Sequence, residues 1–423
     1  MKSLSSLTSH AALAAGVMFA SSVLLSKPVK AELFSLQQTI NNPTPDLSDQ
    51  FGYSVAIDGN NILIGSYFDD TGATNAGSAY LFDTSGNLLQ TINNPAPNDD
   101  DRFGYSVAID GDNLLIGAWL NDLNYINTGS AYLYDTSGNL LQTIDNPTPS
   151  INEYFGRSVA IDGDNILIGA DESNEYGTSW IAGSAYLFDT NGNLLQTINN
   201  PEPFDHDLFG WSVAIDGDNL LIGAYNDGYV TGAHDRGTAY LYDTNGNLLQ
   251  TIDNPTPDAH DYFGNAVAID GDNLLIGANY DDAVGSNSGI AYLFDTGGNL
   301  LQTINNPTPG ISGFFGNSVA IDGDKLLIGA ATGGGSAGSA HLFNLDGVLL
   351  QTFNSPTPIL AIDGDNLLVG AYQDDTGATD AGSVYLYSTS ATSVPGPLPL
   401  FGVYTAYGFS RKLRRRIQRG YKA

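Results

Sequence analysis

No cysteine occurs in the 423 residues, so no disulfide braces the fold and stability has to come from packing, aided where loops allow by bound ions. Basic residues are scarce too: 14 lysines and arginines stand against 46 aspartates and glutamates. Three of the fourteen lie in the first 31 residues and seven in the last thirty. Between Glu32 and Ser393 only Arg102, Arg157, Arg236 and Lys325 remain, four against all 46 acids, a net charge of −42. That balance argues against phosphate or anionic-membrane partners, and so against nucleic acid. It favours cations, basic partners or neutral sugars, and it also serves plain solubility. Histidines number five, and no metal-type histidine spacing accompanies them.

What the chain has in abundance is a repeat. Phe-Gly pairs begin at Phe51, Phe103, Phe155, Phe209, Phe263 and Phe315, at steps of 52, 52, 54, 54 and 52 residues. A shortened seventh copy starts near Leu360: six copies place the Ala of A-I-D eleven positions after the second Pro of the link, whereas Ala361 follows Pro358 by three. Eight residues are missing there, including the Phe-Gly. Each copy reads as four strands, in the first copy FGYSVAID, NILIGS, GSAYLFD and NLLQTI, bounded by Gly, Asn, Asp or Pro, with no helical pattern between them. D-G-N or D-G-D joins the first strand to the second, and D-T-S-G-N or D-T-N-G-N the third to the fourth. Gly and Asn take the positive φ that such hairpins need. The second-to-third loop and the N-N-P-x-P link are long. Antiparallel strands send alternate connections to opposite ends of a sheet, so both long connections of a copy share one end and both hairpins the other.

Tandem four-stranded antiparallel units predict an all-β fold, a β-propeller. The A-I-D-G and G-S-A-Y-L-F elements each occur seven times, and so does the fourth strand, but its first copy, FSLQQTINNPTP, precedes the first Phe-Gly. This permutation by one strand lets Leu33 to Ile40 complete the sheet begun by Leu360 to Tyr387. A closed seven-bladed ring over residues 32–390 is the expectation. Phe-Gly, a hydrophobic strand, Gly-Ala, then Gly-x-x-Tyr-Leu-Phe resembles FG-GAP repeats, the blades of the integrin α-subunit propeller and of many bacterial surface proteins. The resemblance implies a propeller used in adhesion, in ligand binding or beside enzymes. The family's Pro after Gly-Ala is absent, as in Gly117-Ala118-Trp119 and Gly223-Ala224-Tyr225. Integrin blades hold calcium in the loop between the first two strands. Here Asp110-Gly111-Asp112-Asn113 is followed by Leu114, and two carboxylates do not supply six to eight oxygen ligands. Those turns read as tight hairpins.

Carboxylates gather instead in the long connections: Asp69-Asp70, Asp99-Asp100-Asp101, Asp281-Asp282 and Asp374-Asp375. They are candidate calcium ligands, completed by backbone carbonyls and Asn side chains, or solvated loop charge. Trp119, Trp180, Tyr225, Tyr229 and Tyr280 lie in the same loops, with Tyr67, Phe68 and Tyr125. Such rings suit stacking on sugar or anchoring a protein partner, or they cover the blade ends. His206 and His260, beside Asp205, Asp207 and Asp261, imitate a base-orienting pair but occupy equivalent places in the repeat, and His341 stands where other copies have Tyr.

Both ends read as addresses. Met1 to Ala31 has Lys2, an apolar stretch from Ala11 to Leu25 and the small-residue pattern Val29-Lys30-Ala31, predicting a signal peptide cut after Ala31 by signal peptidase. The run is short for a membrane span. At the other end Val394, Pro395 and Pro397 precede an apolar stretch from Leu398 to Phe409 and a basic cluster containing Arg414, Arg415 and Arg416, the order of a transient membrane segment and its cytoplasmic stop. This resembles the PEP-CTERM sorting signals of bacterial envelope proteins, with Gly396 where the family has Glu. The resemblance implies an exosortase-type transpeptidase as partner; a permanent tail anchor is the other reading.

The expected function is therefore that of an exported cell-surface or extracellular binding protein, without enzymatic activity, touching polysaccharide or protein through its long-loop face. A hydrolase using acidic loop residues, and a structural matrix component without a ligand, are the alternatives.

Overall fold

The computed structural model describes residues 34–122, 126–172, 182–204, 206–227, 236–309, 312–331, 338–355 and 358–389. The expected signal peptide and the sorting signal lie outside them. Among the described residues no helix is long and apolar enough to cross a membrane.

Twenty-eight strands form seven four-stranded antiparallel sheets. In blade I the order from the axis outward is Ser54–Asp58, Asn61–Ser66, Ser78–Asp83 and Leu88–Asn93. Blades II to VI repeat it. Blade VII takes its first three strands from Pro358–Asp363, Asn366–Ala371 and Ser383–Thr389 and its outer strand from Phe34–Asn41, in register from Phe34 opposite Thr389 to Asn41 opposite Ser383. First strands of successive blades touch all the way round, blade VII reaching blade I, so the ring is closed despite the shortened copy.

Burial explains why strands that look alike in composition hold different places. The second and third strands, such as NILIGS and SAYLFD, are buried at nearly every residue rather than at alternate ones, because neighbouring blades cover both faces of the sheet. In the outer strand LLQTIN only Ile92 is buried. Leu88 and Leu89 remain 43% and 44% exposed where a bulge opposes the outer strand to Leu81 and Phe82. The bulge disrupts the free edge and so discourages edge-to-edge pairing.

Seven seam clusters form the core, each shared by two blades. Between blades I and II, for example, Leu63, Leu81 and Ile92 meet Phe103, Leu114, Ile116 and Tyr132. The Phe of each of the six repeat Phe-Gly pairs, from Phe51 to Phe315, is fully buried in such a seam. Its Gly brings two backbones together: a Cβ on Gly117 of blade II would lie 2.0 Å from the carbonyl oxygen of Gly156 at the start of blade III, and the same approach recurs at Gly65, Gly169, Gly223, Gly277 and Gly370. Blade VII has no Phe-Gly, and there Leu360, Leu367 and Phe34 fill the seam with blade VI.

On the hairpin face the Asp of each A-I-D-G accepts a hydrogen bond from the next blade's turn glycine. Gly111 N donates to Asp58 Oδ2 at 2.6 Å, Gly163 N to Asp110 Oδ2 at 2.7 Å, and so on round the ring until Gly59 N donates to Asp363 Oδ2 at 2.7 Å. A-I-D-G is thus a hairpin and an inter-blade clasp at once.

Candidate functional site on the long-loop face

The links into blades I to V are each stapled by a buried carboxylate seven residues after an Asn. Asn42 Nδ2 and Asp46 N donate to Asp49 Oδ2 at 2.8 and 2.7 Å. The same pattern joins Asn94 to Asp101, Asn146 to Glu153, Asn200 to Asp207 and Asn254 to Asp261. A second acid caps the loop after the second strand and takes a bond from the third-strand tyrosine: Tyr80 OH donates to Asp69 Oδ2 at 2.6 Å, Tyr292 OH to Asp281 Oδ2 at 3.0 Å and Tyr385 OH to Asp374 Oδ2 at 2.6 Å.

The carboxylates singled out in the sequence are therefore engaged by their own loops, the neighbouring loop or the third strand. Asp69, Asp281 and Asp374 each also accept the backbone N–H two residues on. Asp70, Asp282 and Asp375 accept the backbone N–H five residues on. Asp99 accepts from Thr74 N, Asp100 from Asn75 Nδ2 and Arg102, and Asp101 from Asn94 and Asn98. Among the described residues no group of three or more His, Asp or Glu is arranged to hold a metal ion.

Paired carboxylates in a seam disfavour ionisation. Burial pushes Asp49 up to about 6, the Asp69 charge adding to the effect and the bonds from Asp46 N and Asn42 opposing it. Burial and Asp281 do the same to Asp261, also about 6. A carboxyl that holds its proton more tightly in the folded state stabilises the fold fully below its unfolded pKa, near 4, and that contribution is lost as the pH rises through 6. Asn at either position keeps an oxygen to accept the same donors. The double variant Asp49→Asn, Asp261→Asn is expected to exceed the parent by about 2 kcal/mol or more at pH 8 and to match it at pH 4, since a tenfold difference in proton affinity between folded and unfolded chain corresponds to about 1.4 kcal/mol. Denaturant unfolding at the two pH values measures this; a gain of equal size at both would disprove the linkage. Comparison at each pH is needed because the turn aspartates Asp83 and Asp135, held below the usual range by bonds from Asn87 and Asn139, work in the opposite sense.

Around the mouth of the ring runs a belt of half-buried rings. Tyr53, the residue after the first Phe-Gly, has its ring 5.1 Å from Tyr372 of blade VII and 4.9 Å from Tyr105 of blade II, and its hydroxyl donates to Tyr105 OH at 3.0 Å. Tyr105 meets Trp119 at 5.2 Å, and Trp119 meets Tyr154 at 4.8 Å. The Arg157 guanidinium then bridges blades, 4.8 Å from Trp119 and 3.9 Å from Trp211, with Nη1 donating to the fully buried Asp171 Oδ2 at 3.1 Å. Burial alone would weaken the Arg157 charge, but Asp171 and Tyr105 outweigh it. From Trp211 the belt passes to Tyr225 at 4.6 Å, Tyr262, Tyr280 and Phe314. Opposite Tyr53 and Tyr105, the corresponding residues of blades V and VI are Asn265 and Asn317. Asn265 Nδ2 donates to Asn317 O at 3.4 Å and Asn279 Nδ2 to Asn317 Oδ1 at 3.1 Å.

Of the aromatic residues expected at the site, Trp119, Tyr225 and Tyr280 belong to this belt, while Trp180 and Tyr229 lie outside the described residues. Sequence reasoning missed Tyr53, Tyr105, Arg157, Trp211, Tyr262, Phe314 and Tyr372. The position after Phe-Gly, which reads Tyr, Tyr, Arg, Trp, Asn, Asn in an otherwise constant stretch, is the signal that finds Tyr53, Tyr105, Arg157 and Trp211; Tyr262 and Phe314 stand just before Phe-Gly, and Tyr372 just after Gly-Ala. His341 lies in the third strand, as its repeat position indicates. It is fully buried and bonded to Ser339 Oγ at 2.8 Å and Thr352 Oγ1 at 3.1 Å, and burial lowers it to about 4. Neutral and enclosed, it takes the tyrosine's place in the third strand but bonds to strand neighbours instead of to a loop acid.

The FG-GAP repeat family model matches residues 37–82, 95–134, 149–188, 201–242, 256–294, 312–343 and 359–387. No curated protein matches the chain. Among solved structures, Kuenenia stuttgartiensis hydrazine synthase is similar over 82% of this chain and 97% of that chain, with a TM-score of 0.53 at 13% identity. The β-propeller domain of the Trilobed protease from Pyrococcus furiosus has a TM-score of 0.48 at 11% identity, covering 80% of this chain and 90% of that one. A europium-containing methanol dehydrogenase has a TM-score of 0.45 at 9% identity, covering 85% and 94%. The hydrazine synthase likeness is one of fold alone. With seven matched segments, one in each blade, the chain belongs to the FG-GAP repeat family.

Proposed function

We propose that this chain is an exported binding protein of the cell surface or extracellular space, gripping a polysaccharide or protein partner at the mouth of its long-loop face. The ring belt supports this reading: half-buried aromatic side chains from successive blades converge on one surface, where residues in the repeat are otherwise nearly constant. Large rings gathered on one face supply contact area with little loss of side-chain freedom. The rigid ring holds the belt in place, while the loops around it vary in length. The test is a binding screen of the purified chain against neutral oligosaccharides and extracellular proteins, with and without calcium. Saturable binding without turnover, weakened at least about tenfold by Trp211→Ala, is expected, as removal of a central interface tryptophan costs about 2 kcal/mol or more. Turnover of a bound glycan, lost on substitution of one or two loop aspartates, would instead establish the hydrolase reading.

A further inference from the structure

We infer that the outer hairpins of blades III, IV and VI are sites of covalent self-modification through a succinimide, at Asn191, Asn245 and Asp346. The inter-blade clasp protects the seven Asp-Gly pairs of the A-I-D-G turns from the same reaction. Asn-Gly occurs twice in the chain, both times in the turn between a third and a fourth strand. Blades I and II have Ser85-Gly86 and Ser137-Gly138 at this place, and blade VI has Asp346-Gly347. Glycine leaves its backbone nitrogen without a flanking side chain, so that the nitrogen can reach Cγ of the residue before it. The Gly192 nitrogen attacks Asn191 Cγ and gives up its proton, and the side-chain nitrogen leaves as ammonia. Water then opens the succinimide at either carbonyl, giving aspartate or isoaspartate. At Asp346 the carboxyl is attacked in its protonated form, a water leaves, and a water re-enters. No other reactant is consumed.

The structure separates the two sets of pairs. Asn191, Asn245 and Asp346 are exposed. The nitrogen that would attack each is held by a neutral carbonyl of its own turn: Gly192 N donates to Asp189 O, Gly246 N to Asp243 O and Gly347 N to Asn344 O, each at 2.9 Å. The side-chain amides are held at the long limit of a hydrogen bond, Asn191 Nδ2 3.5 Å from Asp189 Oδ2 and Asn245 Nδ2 3.4 Å from Asp243 Oδ2. An exposed turn opens locally at little cost. The A-I-D-G pairs are held from both sides and across seams. Gly111 N, which would attack Asp110, donates to Asp58 Oδ2 at 2.6 Å, while Asp110 Oδ2 accepts from Gly163 N at 2.7 Å, and the arrangement repeats round the ring. A bond to a carboxylate is roughly twice as strong as one to a neutral acceptor, and releasing both ends requires two seams to part. Reaction at Asn191 places a second carboxylate beside Asp189, and isoaspartate adds a carbon to the backbone of the turn. The outer hairpin loosens while the seams stay closed.

The experiment ages the purified chain in mildly alkaline buffer and, separately, in mildly acidic buffer. Peptide mass mapping reads conversion of amide to acid, and methylation by an isoaspartate methyltransferase reads isoaspartate. In alkali, Asn191 and Asn245 are expected to convert at least about tenfold faster than Asn139, which precedes Leu140 in a turn of the same kind. Asn191→Ser with Asn245→Ser, the residue of blades I and II, is expected to abolish methylation in alkali and to leave unfolding unchanged. In acid, isoaspartate is expected at Asp346 and not at the seven clasped pairs. In denaturant, where no clasp exists, Asp346 and those seven should react alike. Asn191 and Asn245 as durable as Asn139 would overturn the assignment of the sites. Equal reaction of Asp346 and the clasped pairs in the folded chain, or a difference that persists in denaturant, would overturn the protection by the clasp.

Discussion

Gly117→Val is expected to prevent the ring from assembling. Gly117 lies in the middle of the blade II–III seam, and even its first added carbon would stand 2.0 Å from the Gly156 carbonyl oxygen and 2.3 Å from Ser106 Oγ. The serine can rotate, but Gly156 O cannot move away: Gly156 N is bonded to Gly169 O at 3.0 Å, and the Gly156 carbonyl itself accepts a bond from Ser106 Oγ at 2.7 Å. Relief requires the two blades to separate, which uncovers Phe155 and the cluster around it. Overpacking a core ordinarily costs about 1–3 kcal/mol. A backbone-to-backbone clash beside a fully buried Phe should exceed that, reaching the roughly 3–5 kcal/mol of a Phe→Ala cavity. Gly111, six residues earlier and as regular in the repeat, provides the contrast. It has φ +61° and nothing within 4 Å of a Cβ, so only its backbone conformation calls for glycine. Asn tolerates that conformation, and Gly111→Asn should stay within about 1 kcal/mol of the parent. Thermal or denaturant unfolding of both variants is the measurement; equal losses would mean that the close approach of blades does not hold the seam.

These two glycines also mark the limit of what the sequence reveals. Gly111 is legible, because a D-G-D between two apolar runs has a local explanation in hairpin geometry. The strands, the hairpins and the seven-bladed count are legible for the same reason: each follows from periodicity within a few residues, or from counting. The role of Gly117 is hidden because its reason lies in a residue 39 positions on, in another blade. Asp58 reads as half of a turn when it also clasps Gly111 across the seam. At the candidate site, Trp119, Tyr225 and Tyr280 stand out because they open variable loops. Tyr53 and Trp211 pass as strand residues following Phe-Gly, although a strand that begins at the mouth of a ring places its first side chain there. The acids go the other way. Asp69 and Asp281 attract attention as members of charged pairs, whereas the constant spacing of seven from Asn42 to Asp49 is the sign of carboxylates folded into the loops.

Removal of Phe34–Asn41 is the larger test, because ring closure rests on a strand with no covalent connection to the blade it completes. Phe34 and Ile40 are 3% and 2% exposed, and they enter different seams: Phe34 packs with blade VI residues and Ile40 with Phe51 and Tyr80 of blade I. Gln351 of blade VI grips the strand's backbone, its Nε2 donating to Phe34 O at 2.7 Å and its Oε1 accepting from Phe34 N at 2.9 Å. Deletion therefore opens both seams of blade VII and bares the edge of Ser383–Thr389. The loss of the two buried side chains alone is expected to cost on the order of 5 kcal/mol. A circular permutant separates this effect from simple shortening. In the other blades the third strand passes to the fourth through a short turn of the D-T-S-G-N kind, and Phe34 already stands opposite Thr389. Joining Thr389 to Phe34 by such a turn and starting the chain at Asn42 should restore the deletion's loss. It also turns a pairing such as Asn41 with Ser383, 342 residues apart, into a local one. Replacing so long a loop by a hairpin lowers the entropy of closure by about 3–4 kcal/mol, so the permutant is expected to refold faster than the parent. A deletion variant as stable as the parent would show that the ring is held by its seams without the strand. A permutant that stays as weak as the deletion would mean that the strand's order in the chain, and not its place in blade VII, is what matters.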